Sequence, residues 1–168
     1  MTTSSVVRPE LVQLRRKEEE QAGASPIALR ELWARLRRDV SGEVRFDDGS
    51  RGLYAQDASN YLHVPIGAVL PRTRADVLAT LRACHDFGAP VLARAGGTGL
   101  AGQTCNEAVV IDVSKYLNRV LEFEPAARRA RVEPGLICDS LGKQTKPHGL
   151  TWGPEPATHD HCCFGGML

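Results

Sequence analysis

Arg94-Ala95-Gly96-Gly97-Thr98-Gly99-Leu100-Ala101-Gly102-Gln103 follows directly on the apolar run Pro90-Val91-Leu92-Ala93. Glycine adopts positive φ without strain and lets backbone N–H groups approach an anion with no Cβ in the way. A strand emptying into a loop with four glycines in seven positions therefore reads as a phosphate cradle.

Gly97-Thr98-Gly99-Leu100-Ala101-Gly102 also satisfies the G-x-G-x-x-G pattern of a nicotinamide-binding domain. That pattern needs its glycines to open a helix within a βαβ unit, with an acid about 20 residues further on. Here the next strand-like run, Ala108 to Val113, begins six residues after Gly102, and Asp112 arrives too early for a ribose. A crossover between parallel strands takes roughly ten residues or more, usually helical, and Gln103-Thr104-Cys105-Asn106-Glu107 cannot supply it. The nicotinamide reading is disfavoured. The loop is expected to hold a diphosphate with its own amides rather than with a helix dipole.

Upstream of the loop, Thr73 is expected to cap a helix with the apolar stripe Val77, Leu78, Leu81 and Cys84 and a stop at Gly88, and Pro65 to Leu70 reads as a strand. Together with strands over Pro90–Ala93 and Ala108–Val113 this makes a β-α-β-loop-β unit. Its continuous apolar runs predict strands covered on both faces. Ser25-Pro26 reads as the cap and first residue of an amphipathic helix reaching Asp39, with Leu29, Leu32, Trp33 and Leu36 on one side. Val44–Phe46 and Arg51–Tyr54, around Asp47-Asp48-Gly49-Ser50, predict a loose hairpin or two short extended pieces. Residues 1–24, with Arg15-Arg16-Lys17-Glu18-Glu19-Glu20, read as a solvated helix or polar tail. Downstream, Arg119–Glu124 and Arg128–Glu133 alternate apolar and charged residues and predict an antiparallel hairpin. A weak helix containing Gly142 follows over Leu136–Lys146.

At 168 residues, 42% hydrophobic and 24% charged, the chain fits one soluble globular domain. A net charge of +1 gives no electrostatic case for nucleic acid or an anionic membrane. No apolar run reaches the roughly 18 residues of a membrane span, and Met1–Gln21 lacks the apolar core of a secretory leader, so the expected location is the cytoplasm. Five cysteines without C-x-x-C spacing are expected to be reduced thiols. His159-Asp160-His161-Cys162-Cys163 is a consecutive cluster without a second pair elsewhere, so no metal site is expected.

Further stretches fall in a definite order: Pro71-Arg72-Thr73 before a helix, Val110-Ile111-Asp112-Val113-Ser114, Val132-Glu133-Pro134-Gly135, His148-Gly149-Leu150-Thr151-Trp152-Gly153-Pro154, and Gly165-Gly166-Met167-Leu168. With the glycine loop they make Val64–Leu168 resemble the FAD-binding domain of flavin oxidoreductases related to vanillyl-alcohol oxidase, of the p-cresol methylhydroxylase type. Within that superfamily the segment is most similar to the D-2-hydroxyacid dehydrogenases, the group containing D-lactate dehydrogenase and the glycolate oxidase flavin subunit. Gly42–Asp47 and Tyr54–Tyr61 resemble its longer, iron-sulfur-fused branch.

The resemblance implies an α+β fold: a two-lobed FAD-binding domain with a small parallel βαβ lobe and an antiparallel lobe, truncated at the C-terminus. It divides the chain into a polar tail (1–24), an N-terminal helix and extended segment (25–62) and an incomplete FAD-binding domain (63–168). A cap domain and the iron-sulfur region often found in the family are expected beyond it, together with the catalytic base and the metal-binding histidines, so no catalytic residue is named here. The implied substrate is a small 2-hydroxy acid, lactate- or glycolate-like, oxidised by hydride transfer to flavin N5; a non-catalytic truncated fragment with weak or no FAD binding is the alternative. The implied cofactor contacts are Arg94, Ala95, Gly96, Gly97, Thr98, Gly99 and Gln103 in the loop, Pro134 and Gly135, Gly153, Pro154 and Pro156, and Cys163, Gly165 and Gly166. Thr98 stands where several relatives carry a flavin-bonding histidine, which implies noncovalent FAD. Ala95 replaces a frequent glycine, and Cys163 replaces a threonine or serine.

Overall fold

The computed structural model describes residues 26–167; the expected tail, the Ser25 cap and Leu168 lie outside them. The chain runs α1 (Pro26–Asp39), β1 (Glu43–Arg45), α2 (Asp48–Leu53), β2 (Gly67–Leu70), α3 (Arg74–Asp86), β3 (Val91–Arg94), β4 (Val109–Asp112), β5 (Val120–Glu124), β6 (Arg129–Val132) and α4 (Cys138–Thr145), with short 3-10 turns at Lys146–His148 and Phe164–Gly166. Two sheets result, one of order β1-β2-β4-β3 and one a β5-β6 hairpin, so the two-lobed α+β architecture stands.

In the larger sheet β2, β4 and β3 are parallel, with Gly67 and Val91 both opposite Val109, while β1 runs antiparallel on the outer edge. Helices α1 and α3 cover one face through Leu32, Leu36, Ala83 and Cys84, which pack on Val69 and Val109. On the other face Ala68, Leu70 and Val110 lie under Tyr54 and Tyr116. Strands β2 and β4 are buried throughout, as expected. Strand β3 is not: it is the sheet edge, and Val91 is 42% exposed. An apolar run alone does not distinguish a central strand from an edge strand.

Helix α3 begins as expected, with the Thr73 hydroxyl accepting from the Asp76 N–H and the Asp76 carboxylate accepting from the Thr73 N–H. Its inner face differs from the expected stripe. Leu78 and Leu81 are about two-fifths exposed, and Asp76, Thr80, Ala83 and Cys84 are the buried positions. Asp76 is stable there because it accepts from the N–H groups of Ser41 (2.9 Å) and Arg72 (2.8 Å) and from the Ser41 hydroxyl. Gly88, at φ +63°, ends the helix.

The third correction concerns 48–53. No hairpin forms; Asp47 accepts from the Ser50 N–H and caps the short helix α2 instead, an outcome that Asp-x-x-Ser chemistry favours over two extended pieces. The β5-β6 hairpin forms as expected. Its inner side packs with α4 around Leu136, Cys138, Leu141, Cys162 and Phe164.

Candidate functional site

Strands β3 and β4 end at Arg94 and Asp112, and just past those ends the two lobes leave a groove of about 840 Å3. Open parallel sheets bind ligands outside the carboxyl ends of their strands, and cofactor clefts commonly enclose about 300–1,000 Å3. The larger sheet supplies Ala95, Gly96 and Ser114, and the smaller lobe supplies Arg119, Val120, Ile137, Ser140 and Gln144. Gly135, His161 and Cys163 close the wall between them. A second groove of about 830 Å3 lies at the opposite, amino end of the strands, beside Trp33, Phe46 and Val64.

Close packing of backbones builds the first groove, and glycine permits it. A Cβ on Gly96 would meet the His161 carbonyl, and one on Gly135 would meet the carbonyls of Val113 and Leu117. One on Gly165 would meet Pro134, whose carbonyl accepts from the Gly165 N–H at 2.8 Å. The C-terminal segment is held by an antiparallel bridge, Ile137 opposite Cys163, with Cys138 N–H to Cys162 carbonyl at 3.1 Å and Phe164 N–H to Leu136 carbonyl at 3.0 Å.

Charge is scarce in the lining. Arg119 is bound to the buried Glu133 at 2.9 Å; the guanidinium lowers the Glu133 pKa, and the carboxylate raises that of Arg119 and balances its charge. Burial pushes the Cys163 thiol pKa up, so it lines the groove as a neutral group. Behind the strand ends, buried Asp112 accepts from the Tyr54 hydroxyl (2.7 Å) and from the Ser114 N–H (2.8 Å). Burial and that carboxylate raise the Tyr54 pKa far above the usual phenol range. The lining thus mixes apolar side chains such as Val120, Leu136 and Ile137 with the uncharged polar groups of Ser114, Asn118, Ser140 and Gln144.

Of the residues expected at the site, Ala95, Gly96, Gly135 and Cys163 line this groove. Pro134, Gly165 and Gly166 are exposed and lie outside its lining, with Gly165 packed on Pro134. Gly97, Thr98, Gly99 and Gln103 continue the loop beyond it; Gly97 takes φ +65°, and the Gln103 side chain packs on Gly99 and accepts from the Ala101 N–H. Arg94 turns to the backbone of an upstream segment. Gly153 and Pro154 are exposed and Pro156 half-buried, outside the groove lining. In the histidine–cysteine cluster, His159 pairs with Asp139 and His161 with Asp160, each at 2.7 Å. Among the described residues no three His, Cys, Asp or Glu side chains come together to hold a metal ion.

The FAD binding domain family matches residues 65–168. The chain belongs to that family. D-2-hydroxyglutarate dehydrogenase of Pseudomonas putida is 37% identical over 130 residues, covering 76% of this chain and 13% of that protein. Glycolate oxidase subunit GlcD of Escherichia coli is 35% identical over 155 residues, 90% of this chain and 31% of its own length. The chain thus spans between about one eighth and one third of these relatives. Among solved structures, p-cresol methylhydroxylase with substrate bound superposes with a TM-score of 0.66 at 18% identity, over 76% of this chain and 26% of that one. Alkyldihydroxyacetonephosphate synthase gives 0.68 at 22% identity, over 86% and 29%. Both likenesses show the fold, and FAD is the family's cofactor.

Sequence reasoning missed much of the FAD-binding domain's groove: Asn118, Arg119, Ile137, Ser140, Gln144 and His161 all line it. Ser114 alone had a signal, as the residue after the apolar strand Val109–Asp112, positioned to donate to the strand-end carboxylate. Among the described residues no helix is long and apolar enough to cross a membrane.

Proposed function

We propose that this chain forms the FAD-binding part of a flavin-dependent oxidoreductase that oxidises a small D-2-hydroxy acid. The groove past the carboxyl ends of β3 and β4 carries this reading, because Gly96 and Gly135 bring backbone segments together there and, among the described residues, Arg119, held by Glu133, is the one Lys or Arg side chain in its lining. Bound FAD would supply the two-electron acceptor for a hydride leaving the hydroxyl-bearing carbon. Ala95 and Gly96, continued by Gly97, Thr98 and Gly99, would hold the diphosphate through N–H groups, and the Thr98 hydroxyl would add a donor. Ser114, Ser140 and Gln144 would orient the nucleotide from the facing lobe, while Cys163 and the turn at Gly165–Gly166 would exclude water on the third side. Pro154 and Pro156, in the segment after Gly153, would add contacts to the cofactor from outside the groove lining. The D-2-hydroxy acid is proposed because relatives named for D-2-hydroxyglutarate and glycolate oxidation are 35–37% identical to the chain.

The chain titrated with FAD should quench flavin fluorescence at one-to-one stoichiometry. Acid precipitation should release all flavin into the supernatant, since threonine cannot form the covalent link. Flavin retained on the denatured protein would refute the role given to Thr98, and no binding would refute the site. A protein of the relatives' full length should reduce a dye acceptor with D-2-hydroxyglutarate, glycolate or D-lactate; inactivity with all three would overturn the substrate class.

A further inference from the structure

The family match begins at residue 65, yet the glycine loop is held largely by residues upstream of it. Arg94, the last residue of β3, donates through Nη2 to the Gln56 carbonyl at 2.7 Å and through Nη1 to the carbonyls of Tyr54 and Thr104 at 3.3 Å each. Its guanidinium carbon also lies 5.5 Å from the centroid of the Tyr54 ring. Gly97 leaves the room for this, since a Cβ there would stand 2.8 Å from Nη2, and the Gly97 carbonyl accepts from the Ala58 N–H at 3.1 Å.

Asp57 ties down the far end of the loop. It accepts from the Thr104 hydroxyl at 2.8 Å, from the Thr104 N–H at 3.3 Å, and from the Ser59 N–H at 2.8 Å. Burial works against its ionisation, but those donors outweigh burial and hold its pKa well below the carboxylate range. Finally, the Tyr61 ring lies where a Cβ on Gly102 would project.

Taking the groove as the FAD site proposed above, we infer that residues 54–61 are a strap that sets the shape of the diphosphate loop. Arg94 and Asp57 are then positioning residues rather than ligands of the phosphates. The physical need is plain. Four glycines give the loop a large conformational entropy, and a binding loop that must be ordered by its ligand loses affinity to that ordering. The strap supplies order from residues that have side chains, and the planar guanidinium fork spans three carbonyls as an ammonium cannot.

Two measurements on the full chain test this. In the absence of nucleotide, Asp57→Asn should speed amide hydrogen exchange over 96–104 while the amides of β2 and β4 keep their protection. Thr104→Val should do the same and Thr104→Ser should not. Unchanged exchange in the loop, or equal acceleration throughout the sheet, would overturn the strap. By calorimetry, Asp57→Asn should weaken FAD and ADP by about tenfold, the scale of one lost hydrogen bond to a charged group. Arg94→Lys should weaken both as much as Arg94→Ala does. Substantial rescue by lysine would show a cation acting directly on phosphate and refute the positioning role. A wild-type chain that binds neither nucleotide would refute the FAD site, and the exchange experiment would still decide the strap.

Discussion

Replacing Asp76 by alanine should destabilise the chain far more than its position in the first turn of a helix suggests. The carboxylate is 3% exposed and accepts from three backbone N–H groups, those of Ser41 at 2.9 Å, Arg72 at 2.8 Å and Thr73 at 3.2 Å, and from the Ser41 hydroxyl. A net hydrogen bond is worth about 0.5–1.5 kcal/mol and one to a charged group about 1.5–3, so even with water recovering part of the loss the expected cost is about 3 kcal/mol. For a domain of this size that lowers Tm by about 6–12 °C. Thr73→Ala removes only the hydroxyl half of the capping box and should cost about 1 kcal/mol, or about 2–4 °C. Burial opposes Asp76 ionisation, but its N–H donors win and its folded pKa lies below the unfolded value. Its contribution is therefore present above the ordinary carboxylate pKa and lost as pH falls through the folded value, so variant and wild type should converge in acid. Thermal melts by circular dichroism at neutral and acidic pH measure all of this. A neutral-pH drop no larger than that of Thr73→Ala would refute the view that Asp76 joins the α1–β1 turn, the β2–α3 connection and α3 into one unit.

Gly97→Val should abolish FAD binding in a fluorescence titration, because a β-branched residue at φ +65° is strained and its side chain would displace Arg94; retained affinity would take the loop out of the site. Gly135→Ala should cost about 1–3 kcal/mol by urea denaturation, since its Cβ would fall on the backbone of Val113, Ser114 and Leu117. Gly142→Ala, inside α4 with open space around it, should instead stabilise by about 0.5–1 kcal/mol, and an opposite order of the two would contradict the packing described. Hydrogen bonds from Lys115 and Tyr116 bring the Glu43 pKa down to about 2, so its contribution is present above the unfolded carboxylate pKa and fades as pH falls toward 2. Glu43→Gln should flatten the acid limb of a pH-dependent melting series, and an unchanged slope would exclude that linkage.

The fold was legible where local chemistry and burial agree. Thr73 with Asp76 marks the start of α3, Gly88 its end, and the alternation over Arg119–Glu133 marks the hairpin. It was misread where a tertiary partner decides. Nothing local reveals that β3 is an edge, or that the inner face of α3 carries Asp76 and Thr80 while Leu78 and Leu81 face outward. The glycine loop was legible as a feature of the strand end, and its first residues, Ala95 and Gly96, do line the groove there. The roles within it were less so: Gly96, Gly135 and Gly165 serve contacts between protein segments, and Arg94 grips carbonyls contributed from forty residues upstream. Ser140, Gln144 and His161 reach the groove only through the docking of one lobe on the other, which leaves no mark at short range.

The chain returns from β3 to the start of β4 through Ala95–Ala108, a connection without a helix between two parallel neighbours. In most parallel sheets the crossover is structural cladding and the binding loop a short piece of it; with FAD in the proposed site, one segment here would be both. Whatever grips the loop also grips the seam of the sheet, so on that proposal cofactor release and fraying of the edge strand would be a single linked equilibrium. Insertions that an ordinary surface loop absorbs would strike assembly and affinity together, and bound nucleotide should slow amide exchange in β3, a strand the groove does not touch.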